Sequence, residues 1–102
     1  MEYLECNYTL DKVKKTFKDI VFLKKEQRGG NGIWVLHFKQ EEFYLEFCSD
    51  RGFLDVYIVK DKKMLDKLID YPQIRNLRTN TENIDFIVDF LYQHRNEIFC
   101  ND

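Results

Sequence analysis

Hydrophobic and polar residues alternate along the middle of the chain in short runs separated by turn-forming residues. The runs are IVFLKKEQ, IWVLHFK, FYLEFC and FLDVYIVK, and the segments between them are RGGNG, QEE and SDRG. Alternation with period two is typical of strands with one buried face. Because the connections are too short for crossovers, the pattern predicts a four-stranded antiparallel meander, with RGGNG as a hairpin turn.

A helical pattern precedes the meander. Apolar residues recur at intervals of three, four and three residues, at Leu10, Val13, Phe17 and Ile20. This spacing gathers side chains on one side of an α-helix, so we expect a helix over Leu10–Asp19 with Thr9 as its N-cap. The pattern does not decide whether Glu2–Tyr8 also belongs to it.

Two further helical segments follow the meander. The run MLDKLIDY predicts a short helix that ends at Pro72, and Ile74 and Leu77 are expected to anchor the loop behind it. Thr79 and Glu82 have the spacing of a capping box at the start of a long final helix. The apolar face of that helix consists of Ile84, Ile87, Val88, Leu91 and Ile98.

These elements predict one α+β domain over residues 1–102, a two-layer sandwich. The N-terminal helix, the short helix and the long C-terminal helix should pack on one face of the sheet. Alternation assigns three residues of each of the last three strands to that face. They are Trp34, Leu36, Phe38, Phe43, Leu45, Phe47, Leu54, Val56 and Ile58.

A pairing that keeps these residues together sets Phe38 beside Phe43 and Phe47 beside Leu54. On the opposite face, one row would then hold His37, Tyr44 and Tyr57, and the next row would hold Val35, Glu46 and Asp55. The register of the first strand stays open, because Ile20–Leu23 is apolar on both faces and could shift by one residue.

The face turned away from the helices is the candidate functional site. Tyr44 and Tyr57 would act as anchors, and Glu46, Asp50 and Asp55 would select a cationic partner. Acids opposed on neighbouring strands repel each other, so a partner that neutralises them would stabilise the pair. An equally weighted alternative is that a cation of the chain does so, either Arg51 or a lysine of the first strand, and that the tyrosines only cover a solvated sheet.

Composition and charge narrow the class of protein. The chain has 102 residues, 44% of them hydrophobic and 33% charged, which is typical of a soluble globular domain. A net charge of −2 does not favour nucleic acid or an anionic membrane as a partner. Since no export signal or membrane span is apparent, we expect a cytoplasmic protein. Three widely spaced cysteines indicate reduced, structural thiols.

Candidate chemistry is sparse. His37, Tyr44 and the nearby acids would need a nucleophile or a metal, and a concave site, to catalyse a reaction. His37 and His94 lie far apart in sequence, and neither HxxxH nor CxxC spacing occurs. We therefore expect no enzymatic activity, no metal and no cofactor.

The order of elements, the motif F-x-L-E-F-x-S-D-R-G-x-L-x-V-x-I over residues 43–58 and the tail FLYQHRNEIF resemble small immunity proteins of bacterial polymorphic and contact-dependent toxin systems. The resemblance implies a cytoplasmic, non-enzymatic protein that binds a cognate toxin domain, often a nuclease with a basic active site, and occludes it. It assigns no functional residue.

Three hypotheses follow for the function. The first is an immunity-type inhibitor that uses the tyrosines and acids of the open face. The second is a small homo-oligomeric assembly domain without catalytic activity, which would use the same face or the edge strand Ile20–Gln27. The third, a small enzyme, requires a pocket with polar groups between the helices and the sheet.

Overall fold

Two long helices cover one face of an antiparallel sheet in the computed structural model, which describes residues 3–28, 32–60, 68 and 70–100. The predicted α+β architecture is thus confirmed. The elements, in chain order, are α1 (Leu4–Thr16), β1 (Val21–Arg28), β2 (Ile33–Gln40), β3 (Phe43–Asp50), β4 (Phe53–Lys60), a 3₁₀ turn (Pro72–Ile74), β5 (Leu77–Arg78), α2 (Thr81–Gln93) and α3 (Arg95–Ile98).

The sheet has five strands in the order β1-β2-β3-β4-β5, each antiparallel to the next. This order confirms the meander and adds one strand to it. In β5, Leu77 pairs with Leu54 and Arg78 pairs with Phe53. Two residues are too few to show any alternation in the sequence, so β5 was predicted as part of a loop.

The core lies between the helices and the sheet. Every strand residue assigned to the covered face is at most 3% exposed, as predicted. The predicted face of the final helix is buried as well, although Ile98 lies in α3 rather than in α2. Phe99 connects the layers, since its ring contacts Phe17 behind α1 and Phe43 on β3, with both pairs of ring centroids 5.9 Å apart.

The predicted strand register is wrong by two residues. Phe38 pairs with Leu45, not Phe43, and Phe47 pairs with Val56, not Leu54. Strands β2 and β3 are joined by a tight turn of two residues, and so are β3 and β4. In the turn between β3 and β4, Arg51 and Gly52 adopt φ values of 54° and 85°. Such a pair of positive φ angles is what a type I′ hairpin requires. A shift of two leaves every side chain on its predicted face.

The first helix begins earlier than predicted, at Leu4, and ends at Thr16. Thr9 is therefore not its N-cap but a buried residue inside the helix, where its hydroxyl donates to the carbonyl of Glu5 at 2.6 Å. This back-bonding satisfies the hydroxyl within the helix. Threonine is as well suited to that role as to an N-cap, so the sequence alone did not locate the N-terminal end of α1.

The start of α2 also differs by one residue from the prediction. Asn80 is the N-cap, and its side-chain oxygen accepts a hydrogen bond from the backbone N–H of Asn83 at 2.8 Å. Thr79 instead pairs its hydroxyl with that of buried Ser49, 2.8 Å away on β3. The predicted capping box of Thr79 and Glu82 is therefore wrong, because the hydroxyl of Thr79 bonds to Ser49 on the sheet instead of capping the helix.

The segment between β4 and β5 is described only in part. The short helix predicted over MLDKLIDY lies outside the described residues except at Leu68, Asp70 and Tyr71. The two expected anchors behind it are confirmed, since Ile74 is fully buried and Leu77 packs against the core.

The cap assignment can be tested by substitution. Asn80→Ala should lower the free energy of unfolding by about 1 kcal/mol, because the N–H of Asn83 loses its acceptor at the helix start. Asn80→Asp, which retains a capping oxygen, should leave stability nearly unchanged, and urea denaturation measures both. A larger loss in Glu82→Ala than in Asn80→Ala would contradict the assignment and restore the capping box.

Candidate functional site

The sheet face that α1 and α2 leave uncovered, called the open face below, carries the residues proposed from the sequence. Its rows differ from the prediction because the register differs. His37 pairs with Glu46, which pairs with Tyr57. Tyr44 lies one row away between Lys39 and Val59, and Asp55 lies one row away on the other side, opposite Cys48.

Two features of the predicted site change with these rows. Tyr44 and Tyr57 do not share a row but stand in adjacent rows of neighbouring strands. Glu46 and Asp55 are not directly opposed, since Tyr57 lies across from Glu46 and Cys48 lies across from Asp55. Repulsion within a pair of facing acids therefore cannot be the reason for a cationic partner.

A groove of about 470 Å³ runs along the open face between the tyrosines. The residues that line it come from four strands and are Leu23, His37, Phe38, Tyr44, Leu45, Glu46, Tyr57 and Val59. Leu23 reaches it because a bulge between Phe22 and Lys24 interrupts the pairing of β1 with β2. The groove thus combines apolar and aromatic walls with one carboxylate and one imidazole, the composition typical of a recognition site.

Tyr44 and Tyr57 are 40% and 36% exposed, so about a third of each side chain or more is open to contact. The guanidinium of Arg75 lies 4.9 Å from the ring of Tyr57, and the ammonium of Lys39 lies 5.6 Å from the ring of Tyr44. Both distances are in the range of cation–π attraction. Burial, and then the charge of Asp55, raises the pKa of Tyr57, so the phenol stays neutral.

His37 lies between two carboxylates. Its Nε2 is 2.8 Å from Oε2 of Glu26 on β1, and its Nδ1 is 3.9 Å from Oε2 of Glu46 on β3. The hydrogen bond from His37, followed by the charge of Lys24, holds the pKa of Glu26 below its ordinary value of 4.5. An ionised carboxylate only accepts hydrogen bonds, so Nε2 of His37 carries a proton and donates a hydrogen bond to Glu26.

Asp55 is already engaged within the chain. Its Oδ1 accepts a hydrogen bond from the backbone N–H of Asn76 at 3.0 Å and one from Nε of Arg75 at 3.3 Å. These bonds attach the turn before β5 to the sheet. A cation of the chain therefore offsets the charge of Asp55, but this cation is Arg75 and not Arg51 or a lysine of β1, the two candidates considered from the sequence.

The other two acids of the predicted site are more accessible. Asp50 ends β3, its side chain is 51% exposed, and Nε of Arg51 lies 3.9 Å from it. Glu46 is half-buried in the groove, and among the described residues its carboxylate has only the 3.9 Å contact with His37. The structure therefore separates the predicted acids into one in a structural contact, one at the end of a strand and one in the groove.

Four charged residues of the open face were not identified from the sequence, namely Glu26, Lys39, Arg75 and Arg78. Glu26 reaches His37 from the neighbouring strand, and Arg75 and Arg78 cover Tyr57 and Phe53. Glu26 could have been found by pairing β1 with β2 if the register of β1 had been known from the sequence. The arginines lie in and after a loop, where no periodic pattern indicates which way a side chain points.

No family model matches the chain, and no curated protein or solved structure is significantly similar to it. The resemblance to immunity proteins therefore depends on the sequence pattern alone. Within the described ranges, no cluster of His, Cys, Asp and Glu is arranged to hold a metal ion. No helix in those ranges is both long enough and apolar enough to cross a membrane.

The structural role of Asp55 predicts an asymmetry between two acids of the site. Asp55→Ala should lower the free energy of unfolding by about 1.5 kcal/mol, because Arg75 and the N–H of Asn76 lose a charged acceptor. Asp50→Ala, at an exposed position, should change it by less than about 0.5 kcal/mol. Chemical denaturation of both variants measures these losses. If Asp55→Ala lost as little stability as is expected for Asp50→Ala, the contact of Asp55 with Arg75 and Asn76 would not contribute to stability.

The bond between His37 and Glu26 can be followed by NMR titration of side-chain carboxyls. Glu26 should titrate below pH 4.5 in the native protein, and His37→Phe should move its midpoint upward because the donor is lost. The amide spectrum of His37→Phe serves as the control and should show that the fold is retained. An unchanged midpoint for Glu26 would show that His37 does not donate to it.

Proposed function

We propose that the protein is an immunity-type binding protein that inhibits a bacterial toxin domain by covering the active site of that domain with its open face. The proposal combines the resemblance of residues 43–58 to immunity proteins with the geometry of the open face. It places the protein in the cytoplasm, where such an inhibitor would meet its toxin.

The observation that carries the proposal is the pair of half-exposed tyrosines beside a groove on a rigid sheet. Tyrosine is enriched at protein interfaces and at the positions that contribute most to affinity, because a large ring with few rotatable bonds loses little entropy on binding. Both rings stand on strands inside the sheet rather than in loops. They are therefore held in place before a partner arrives.

The charges of the open face determine what the groove can contact. Glu26 is engaged by His37, and Asp55 is engaged by Arg75. Glu46 in the groove and Asp50 at the end of β3 are the acids that could contact a cationic active site, such as that of a nuclease. Inhibition would then be steric, with the sheet blocking access and the acids occupying positions that a phosphate would otherwise take.

A second copy of the chain is the other partner to consider. Val21 and Leu23 of the edge strand β1 are 55% and 46% exposed, so apolar surface extends from the groove to the edge of the sheet. An isologous dimer could bury this surface together with the tyrosines. Light scattering separates the two cases, because the dimer would have twice the chain mass of 12.5 kDa.

The proposal predicts that the neighbouring gene encodes the toxin domain, and it predicts the outcome of co-expression with that gene product. The native protein should co-purify with that domain and protect the host from it. The double variant Tyr44→Ala/Tyr57→Ala should lose about 1,000-fold in affinity, since truncating an interface hot spot costs about 2 kcal/mol or more and every 1.4 kcal/mol is about tenfold. Calorimetry on the purified proteins measures the loss.

Tyr8→Ala is the control, because Tyr8 is 36% exposed, like Tyr57, but lies on α1 away from the open face. The variant loses the hydrogen bond from Tyr8 to Asp85 on α2, so its amide spectrum first verifies that the fold is retained. It should bind and protect like the native protein. If Tyr8→Ala lost binding while the double variant retained it, the helices and not the open face would form the interface. A native chain that is a stable dimer and does not bind the toxin domain would replace the proposal with the assembly function.

A further inference from the structure

When the imidazole of His37 is neutral, the groove holds two hydrogen-bond acceptors without a donor between them. Nε2 of His37 donates to Glu26, so in the neutral imidazole Nδ1 carries a lone pair. Nδ1 lies 3.9 Å from Oε2 of Glu46, which is too long for a hydrogen bond. Within the described part of the chain, no side chain donates to either atom.

The neighbouring carboxylates, Glu26 and Asp55, each have a partner that offsets their negative charge, whereas Glu46, within the described ranges, does not. Glu26 has His37 at 2.8 Å and Lys24 at 3.9 Å, and Asp55 has Arg75 at 3.3 Å. Of the carboxylates that line or border the groove, Glu46 thus keeps a negative charge that no close cation of the described residues offsets. A ligand that fits the groove must supply N–H donors and a positive charge.

The walls select among cations. Tyr44 and Tyr57 line the groove together with Leu23 and Val59, so a cation bound there lies against aromatic and aliphatic surface. Guanidinium combines a planar fork of five N–H donors with weak hydration and stacks on aromatic rings, whereas ammonium is a compact and strongly hydrated charge. Arg75 already shows this packing, with its guanidinium 4.9 Å from the ring of Tyr57.

We propose that the groove binds a single arginine side chain of the protein partner. The guanidinium donates to the carboxylate of Glu46 and to Nδ1 of His37, while its aliphatic stem lies between the tyrosines. This inference rests on the proposed function, in that the arginine belongs to a protein bound at the open face. It adds the identity of the residue that enters the groove.

The test uses acetyl-Gly-Arg-Gly-amide as the probe and the same peptide with citrulline as the uncharged, nearly isosteric control. Titration of the ¹⁵N-labelled full chain should give saturable amide shifts at Tyr44, Glu46 and Tyr57 with the arginine peptide. Citrulline should bind about tenfold more weakly, because it lacks the charge-assisted bond to Glu46. The lysine peptide should lie between the two.

Two substitutions of equal size complete the design. Glu46→Gln should weaken the arginine peptide about tenfold and leave the citrulline peptide unchanged, since only the charge is removed. Asp50→Asn, a matched change at the exposed end of the same strand, should alter neither affinity. The amide spectrum of each variant verifies that the fold is retained.

Equal affinity for arginine and citrulline, no effect of Glu46→Gln, or shifts that map away from the groove would each overturn the inference. Its failure can be told apart from failure of the proposed function, which the tyrosine variants test with the toxin domain. If those variants lose the toxin domain while the peptides bind alike, the arginine site is wrong and the binding face stands. If they retain it, the proposed function is wrong whatever the peptides show.

Discussion

The burial of one sheet face by α1 and α2 is the constraint on which the rest of the structure depends. Phe38 and Phe47 contact each other edge to face, with ring centroids 6.1 Å apart, in the core beneath the helices. Because side chains alternate along a strand, burying these rings directs His37 and Glu46 to the opposite face. A slip of one residue would expose the rings and bury the charges, so the composition of the open face is fixed by the stability of the core.

The same alternation explains how much of the fold could be predicted from the sequence. It identified the buried strand residues and the members of the open face, because both depend only on whether a position is odd or even along its strand. Pairing depends instead on the length of each turn. The hairpin at Arg51 and Gly52 is two residues long, and predicting longer turns shifted every row by two. Tyr57 was therefore placed beside the wrong neighbour, although its face was correct.

The candidate site was harder to predict than the fold because its chemistry depends on contacts between elements. His37 meets Glu26 across a strand pair, and Asp55 meets Arg75 from a loop twenty positions further along the chain. No local pattern encodes either contact. The helix ends show the same limit, since Thr79 is an equally good partner for a helix start and for Ser49, and only the packing of the sheet decides between them.

The charges of the open face restrict how it could achieve affinity for the proposed partner. Lys24, Lys39, Arg75 and Arg78 stand among its acids, so the long-range fields of the two signs largely cancel and attract a charged partner only weakly. Affinity must then come from short-range contacts, in which tyrosine rings exclude water and an unmatched carboxylate is desolvated only against a suitable donor. A face of this kind discriminates by fit at close range, which favours a slowly dissociating complex over one assembled by electrostatic steering.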